Sequence, residues 1–242
     1  MELNQDLDAD ALHQQFCDNG RIHIGGVLAE ASARALYSAI RNDARWNFVF
    51  FANDRHFDLD AEGWRKLDPE KKRTTEEIVH AQAAGGFSYM YDAMPIYDLY
   101  YSGKDMPASL KELFEFLNGE AFLSLMRRMT GAEDIAFADA QITRYGPGHF
   151  LTTHNDAVEG KNRRAAFVLN MTPEWREDWG GYLNFFDDNG HVEEGFKPAF
   201  NALNVFAVPA RHSVGYVSPF AASPRYSITG WLRAGVDPAR VR

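Results

Sequence analysis

The sequence predicts a mainly β protein with an N-terminal helical layer, packed on one face of a β-sandwich or barrel. Three observations predict it. Apolar residues at helical spacing dominate before residue 131. After residue 131, short β runs follow one another, separated by turn residues. No helix alternates with those runs, and no glycine-rich strand-to-helix phosphate loop occurs, which disfavours a doubly wound α/β fold.

In chain order, Asp8–Asn19 carries Leu12 and Phe16 four apart, as one helix face requires. Glu30–Asn42 brings Ala33, Leu36, Tyr37 and Ile40 onto one face. Ser109–Met129 holds Leu110, Leu113, Phe114, Leu117, Phe122, Leu125, Met126 and Met129, and reads as two helices broken near Asn118-Gly119. Strand-like pieces interrupt this region at Arg21–Ile24, Trp46–Phe51 and Phe87–Tyr91. The β runs that follow are Ile135–Tyr145, Phe150–His154, Arg164–Met171, Tyr182–Phe186, Ala202–Val208, Ser213–Val217 and Arg225–Leu232. Gly146-Pro147-Gly148, Trp179-Gly180-Gly181, Asp187–Gly190, Pro209 and Ser218-Pro219 break them apart. Strands at such regular spacing suit a sandwich or barrel.

Composition narrows the function classes. A chain of 242 residues, 45% apolar and 24% charged, is expected to form one large domain, or one domain with a helical appendage, rather than a disordered chain. Its net charge of −9 argues against a nucleic-acid binder, which needs basic surface to displace counterions. The lone Cys17 excludes an internal disulfide. No apolar run reaches the ~18 residues of a membrane span, and the acidic start lacks a signal-peptide pattern, so a cytoplasmic, membrane-free protein is expected.

Histidine–carboxylate pairs carry the chemistry. With 8 His and 19 Asp in the chain, chance supplies fewer than one His-x-Asp pair, and two occur, His56/Asp58 and His154/Asp156, beside His191/Glu193. His56/Asp58 lies in a charge-rich stretch and reads as a solvated face or a lid. His191/Glu193 follows a hairpin turn signal and reads as exposed turn. His154/Asp156 ends a strand-like run, where residues two apart share a face and could enter one cavity. His212 begins a later β run. Two imidazoles and a carboxylate form the facial triad suited to non-haem Fe(II). Arg225 and Ser227, two apart on another strand, suit a small dicarboxylate, which a guanidinium grips through two parallel bonds. On the residues alone, unrelated structural roles for these four stay open.

The flanking order is more specific. Tyr145-Gly-Pro-Gly-His-Phe-Leu-Thr-Thr-His154-Asn-Asp156 runs into Arg163-Arg164-Ala-Ala-Phe-Val-Leu-Asn170. Trp175, Trp179-Gly180-Gly181, Phe206-Ala-Val-Pro, Arg211-His212-Ser-Val214 and Arg225-Tyr-Ser-Ile-Thr-Gly230-Trp231 follow. This series, over roughly residues 135–233, resembles the 2-oxoglutarate- and Fe(II)-dependent oxygenases of the prolyl-hydroxylase class. The catalytic domain of the eukaryotic ribosomal prolyl hydroxylases and their bacterial relatives is the nearest likeness. The resemblance implies a double-stranded β-helix core (jelly-roll, cupin-like) over 132–235, with 1–131 as helical support and substrate lid, in one catalytic domain spanning 1–242.

The resemblance also implies roles. His154, Asp156 and His212 would be the iron ligands, and Arg225 would pair with the distal carboxylate of 2-oxoglutarate. Tyr145 would hydrogen-bond that carboxylate. Between Ser227 and Thr229, Ser227 is the expected neighbour of the cosubstrate because it shares the face of Arg225, and Trp231 either walls the cavity or packs in the core. Fe(II), 2-oxoglutarate and O2 are the implied cofactors, with ascorbate as reductant. The implied reaction hydroxylates an aliphatic C–H, yielding succinate and CO2. The expected substrate is a prolyl residue of a protein, ribosomal or translation-related. A free amino acid or other small molecule by the same chemistry is the alternative, and a non-catalytic metal-binding barrel is a third reading. Two departures stand out. Some members place a second tyrosine where this chain has Val168. The eukaryotic ribosomal enzymes carry a second, non-catalytic barrel, which this sequence, ending at Arg242, is not expected to have. The tyrosine-rich stretch Phe87–Tyr101 is expected either to form a lid, through Tyr89, Tyr91, Tyr97, Tyr100 and Tyr101, or to seal the helices onto the barrel. Residues 156–164 form a loop that either meets substrate or is simply solvated.

Overall fold

The computed structural model describes residues 1–241. Helix α1 (Ala9–Asn19) starts where the Asp8 carboxylate accepts from the Asp10 and Ala11 N–H groups, and stops at Gly20, whose φ of 65° suits glycine. Strand β1 (Arg21–Gly25) and helix α2 (Glu30–Asp43) follow. Strands β2 (Asn47–Ala52) and β3 (Arg55–Asp60) form a hairpin over Asn53 and Asp54, both left-handed at φ 51° and 56°, as a two-residue turn demands. Helices α3 (Ala61–Lys66) and α4 (Pro69–Gly85) lead to strand β4 (Tyr89–Met94). Helices α5 (Ile96–Ser102), α6 (Ala108–Leu117) and α7 (Glu120–Thr130) complete the N-terminal region. The rest is β5 (Ile135–Tyr145), β6 (Phe150–His154), β7 (Arg163–Met171), β8 (Leu183–Phe186), β9 (Val192–Phe196), β10 (Phe200–Ala207), β11 (His212–Val214) and β12 (Arg225–Ala234).

All twelve strands join one antiparallel sheet, in the order β1-β10-β7-β12-β5-β4-β6-β11-β8-β9, with β2 added on β4 and β3 on β2. The sheet curls into the near-closed jelly-roll that the sequence predicted, with helices on one outer face. Strand parity separates two cores. On the outer face, Ile142 (β5), Phe167 and Leu169 (β7), Leu203 and Val205 (β10) and Ile228 and Leu232 (β12) pack against Leu36, Ile40, Leu113, Phe114, Phe122 and Met126 of the helices. Each such side chain, fully buried, contributes roughly 1.5–3 kcal/mol over leaving it in water. Residues of the opposite parity point into the barrel.

The N-terminal region is less helical than its spacing suggested. It supplies four strands, and β4 joins the two halves of the barrel by pairing with β5 through Asp92–Met94 and with β6 through Tyr89 and Met90. The strand expected at Phe87–Tyr91 therefore runs two to three residues later. Strand β3, absent from the expectation, is a charged edge strand with no fully buried residue, so no apolar alternation marks it. Helix α4 buries only Val79, which leaves almost no amphipathic signal. Glu193 lies on β9 rather than in the exposed turn expected for it. The Asp187–Gly190 turn itself is present, and Arg21 of β1 bonds both Glu193 (3.1 Å) and Glu194 (2.6 Å). The two end strands of the sheet are thus linked through side chains.

Candidate metal centre and cosubstrate pocket

A cavity of about 430 Å³ lies between the halves of the barrel. Its walls follow strand parity: Gln141, Thr143 and Tyr145 from β5, Ala166 and Val168 from β7, and Arg225, Ser227, Thr229 and Trp231 from β12. Leu183, Phe206 and Val214 add apolar wall, while Phe87, Tyr89 and Val158 stand at its rim.

His154, Asp156 and His212 meet in this cavity, with one ligating atom from each within 4.8 Å of the others. His154 ends β6 and His212 begins β11, and the two are direct cross-strand partners. Their Nε2 atoms lie 3.3 and 3.4 Å from the two Asp156 oxygens. The strand-pleat argument for His154 and Asp156 needs correction. β6 stops at His154, and Asp156 sits at φ 62°, so a left-handed turn, not the pleat, swings its carboxylate back toward the imidazoles.

Both imidazoles are oriented by backbone carbonyls. His154 Nδ1–H donates to the Thr152 carbonyl (3.0 Å) and His212 Nδ1–H to the Ala210 carbonyl (2.7 Å). A carbonyl can only accept, so each Nδ1 carries the proton and each Nε2 turns a lone pair inward. Burial, reinforced by His154, lowers the His212 pKa to about 4, which keeps it neutral as a ligand must be. The Asp156 carboxyl lies below the ordinary aspartate value although burial acts to raise it, so it is held as the carboxylate. Two neutral nitrogens and one carboxylate on one side of a cavity fit the donor set of non-haem Fe(II).

Arg225 is the second anomaly. It is 2% exposed, and burial pulls its pKa from 12.5 to about 10. Its Nη1 donates to the Gly181 carbonyl (2.8 Å), its Nε has no partner, and no carboxylate among the described residues pairs with it. Tyr145, its cross-strand partner, is buried, with its ring stacked on Tyr91 at 4.8 Å. Burial raises the Tyr145 hydroxyl well above its usual value, so it stays a hydrogen-bond donor. A desolvated guanidinium beside a neutral phenol, in the same cavity as the triad, has the chemistry to take up a carboxylate.

The remaining expectations divide. Ser227 lines the cavity, but its hydroxyl is engaged with Thr143 Oγ1 (2.9 Å). Thr229 has the same strand parity and lines the cavity as well, so the preference for Ser227 over it does not hold on geometry. Trp231 walls the cavity. Val168 adds apolar wall to the cavity, at the position the resemblance compares with a tyrosine. Of the tyrosine stretch, Tyr89 and Tyr91 line the cavity. Tyr97 and Tyr101 instead donate to Asp237, and Tyr100 packs on Phe114, sealing the helical layer. His56 on β3 shares a 2.7 Å hydrogen bond with the Tyr89 hydroxyl at the rim. Gln141, Thr143 and Arg163 were not singled out from the sequence. The first two could have been: polar residues at Gln141 and Thr143, two apart and in step with Tyr145, mark an inward face on an otherwise apolar strand.

Residues 140–233 match the sequence model of the 2OG-Fe(II) oxygenase superfamily. Prolyl 3-hydroxylase OGFOD1 of Xenopus laevis is 33% identical over 120 residues, covering 47% of this chain and 23% of that protein. The chain therefore aligns with under a quarter of the length of this curated relative. Among solved structures, a Pseudomonas putida prolyl-4-hydroxylase superposes with TM-score 0.59 at 17% identity, covering 95% of this chain and 100% of that one. A Trichoplax adhaerens prolyl hydroxylase, solved with a peptide fragment of the hypoxia inducible factor oxygen degradation domain, superposes with TM-score 0.60 at 16% identity, covering 93% and 89%. These two likenesses concern the fold. The sequence match, the jelly-roll and the His-Asp-His cluster agree with one another, and residues 140–233 are similar to a 2OG-Fe(II) oxygenase domain.

Proposed function

We propose that the chain is an Fe(II)- and 2-oxoglutarate-dependent dioxygenase that hydroxylates a prolyl residue of a protein, releasing succinate and CO2. The observation that carries this reading is Arg225, a buried cation without a carboxylate partner among the described residues, lining the same cavity as the triad. His154, Asp156 and His212 would hold the metal, with both imidazoles oriented in advance by the Thr152 and Ala210 carbonyls. Bound Fe(II) supplies the O2 activation that couples decarboxylation of 2-oxoglutarate to C–H hydroxylation.

The chain's own residues do the rest. Arg225 neutralises the distal carboxylate of the cosubstrate, and the Tyr145 hydroxyl donates to it. Leu183, Val168, Phe206 and Val214 keep water from the intervening methylenes. Phe87, 39% exposed, and Tyr89 present aromatic surface to an incoming peptide, the kind of surface that proline rings pack against. That the relative from Xenopus laevis is named a prolyl 3-hydroxylase supports the prolyl assignment. Ascorbate as reductant, a ribosomal or translation-related target, a cytoplasmic location and action of residues 1–242 as one catalytic unit are proposed from the sequence resemblance. No helix among the described residues is long and apolar enough to cross a membrane.

Succinate release from 2-oxoglutarate, dependent on Fe(II) and on a proline-containing protein substrate, tests the reading. The product should gain the mass of one oxygen atom on proline, and His154→Ala and His212→Ala should abolish turnover with the fold retained. Normal turnover in both variants defeats the metal assignment, and oxygen gain on a metabolite instead moves the substrate to a small molecule.

A further inference from the structure

Asp156 is the one member of the triad outside regular structure. Its φ of 62° costs a non-glycine residue roughly 1–2 kcal/mol and persists only where surroundings impose it. The loop that follows is exposed from Ala157 to Lys161, and beyond the Asn155 side chain accepting from the Ala157 N–H (3.1 Å) it offers nothing buried to provide that constraint.

Arg163, the first residue of β7, does. Its Nη1 donates to the Asp156 backbone carbonyl at 2.8 Å, and its Cζ lies 3.5 Å from the centroid of the Trp231 ring. Trp231 is anchored in turn. Its backbone N–H donates to Asp139 Oδ1 (3.1 Å), whose other oxygen accepts from Arg233 Nη1 (3.2 Å). Arg233 Nε then donates to the Lys161 carbonyl (2.8 Å). Both ends of the loop, at Asp156 and Lys161, are therefore tied to side chains that β12 carries or braces. The next residue, Arg164, points the other way and forks onto Asp134 at the surface (2.6 Å).

We propose that Arg163 is a positioning residue for the metal, stacked on Trp231 and holding Asp156 in its left-handed turn so that the carboxylate is set between His154 and His212 before an ion arrives. The proposal rests on the reading of those three residues as a metal site. A residue that orients a ligand in this way is worth about 10–100-fold in metal affinity.

The test is an anaerobic titration with Co(II), without 2-oxoglutarate, followed by its visible ligand-field absorption. Wild type, Arg163→Gln, Arg163→Lys and the surface control Arg164→Gln are compared, alongside melts of the metal-free proteins. Arg163→Gln should bind Co(II) about 10-fold or more weakly, with altered bands, while Arg164→Gln matches wild type. Wild-type affinity and spectrum in Arg163→Gln overturn the proposal and leave the metal site standing. Absence of Co(II) uptake by wild type overturns both. Should Arg163→Gln fail to fold, Arg163→Lys decides, since it keeps a donor but loses the planar stack. Several-fold weakening supports the proposal and wild-type binding overturns it.

Discussion

Replacing Arg225 by Met should abolish cosubstrate binding without weakening the ligand-free fold. A buried Arg normally stabilises through a carboxylate partner, and here none is present among the described residues. The fall of its pKa from 12.5 to about 10, at about 1.36 kcal/mol for each tenfold change in proton affinity, amounts to roughly 3 kcal/mol of unfavourable charge burial. The sign is clear: the folded state binds this proton less tightly than the unfolded chain, so the cost is complete at neutral pH and is relieved only as pH rises above about 10. Against it stands the charge-assisted bond to the Gly181 carbonyl, worth about 1.5–3 kcal/mol. Arg225→Met should therefore melt, without ligand, at the wild-type temperature or a few degrees above it. Binding behaves oppositely. Removing one side of a buried, charged hydrogen-bonded pair costs about 2–5 kcal/mol, so 2-oxoglutarate affinity should fall at least about 30-fold. Calorimetric titration of 2-oxoglutarate into the Mn(II)-loaded protein and thermal melts of the metal-free protein measure both effects. A marked loss of melting temperature together with intact 2-oxoglutarate affinity would refute the reasoning, because Arg225 would then be a structural residue.

Three further outcomes follow from geometry. Gly230 of β12 has no room for a side chain, since a Cβ there would fall 1.9 Å from the Asp139 carbonyl oxygen. Gly230→Ala should cost about 3 kcal/mol or more, read as a lowered urea midpoint. Phe122 of α7 meets Phe167 of β7 edge-on at 5.7 Å, joining helices to barrel. Phe122→Ala should cost about 3–5 kcal/mol in denaturant titration, while the folded fraction keeps its 2-oxoglutarate affinity. Tyr89→Phe removes the bond to His56 at the rim. It should raise KM for a protein substrate and leave 2-oxoglutarate binding unchanged, and an equal loss of both would place Tyr89 in the cosubstrate pocket instead.

Periodic burial was what made elements legible. Helices α2, α6 and α7 and strands β5, β7, β10 and β12 each present a continuous buried face, and the sequence shows it. Strand β3 and helix α4 bury almost nothing, so hydrophobic spacing is silent about them. Other signals existed: Asn53-Asp54 is turn chemistry between two β-prone runs, and Asp68-Pro69 is a helix start, with the Asp68 side chain accepting from the Glu70 N–H. At the site, residue types and order singled out His154, Asp156, His212 and Arg225, and the fold brings these four side chains into one cavity. Spacing alone misjudged how Asp156 gets there. A left-handed residue after a strand, held by an arginine seven positions on, has no periodic signature.

The path of the sheet also bears on any attempt to shorten the protein. Cutting at the limits of the matched segment, 140–233, would strip β1 from β10 and pull β4 from between β5 and β6. Six of the eight residues of β10 are buried. Their newly bared backbone would be a sticky template for self-association. Trimming from the front would thus leave a segment prone to stick to copies of itself, even with His154, Asp156 and His212 all retained.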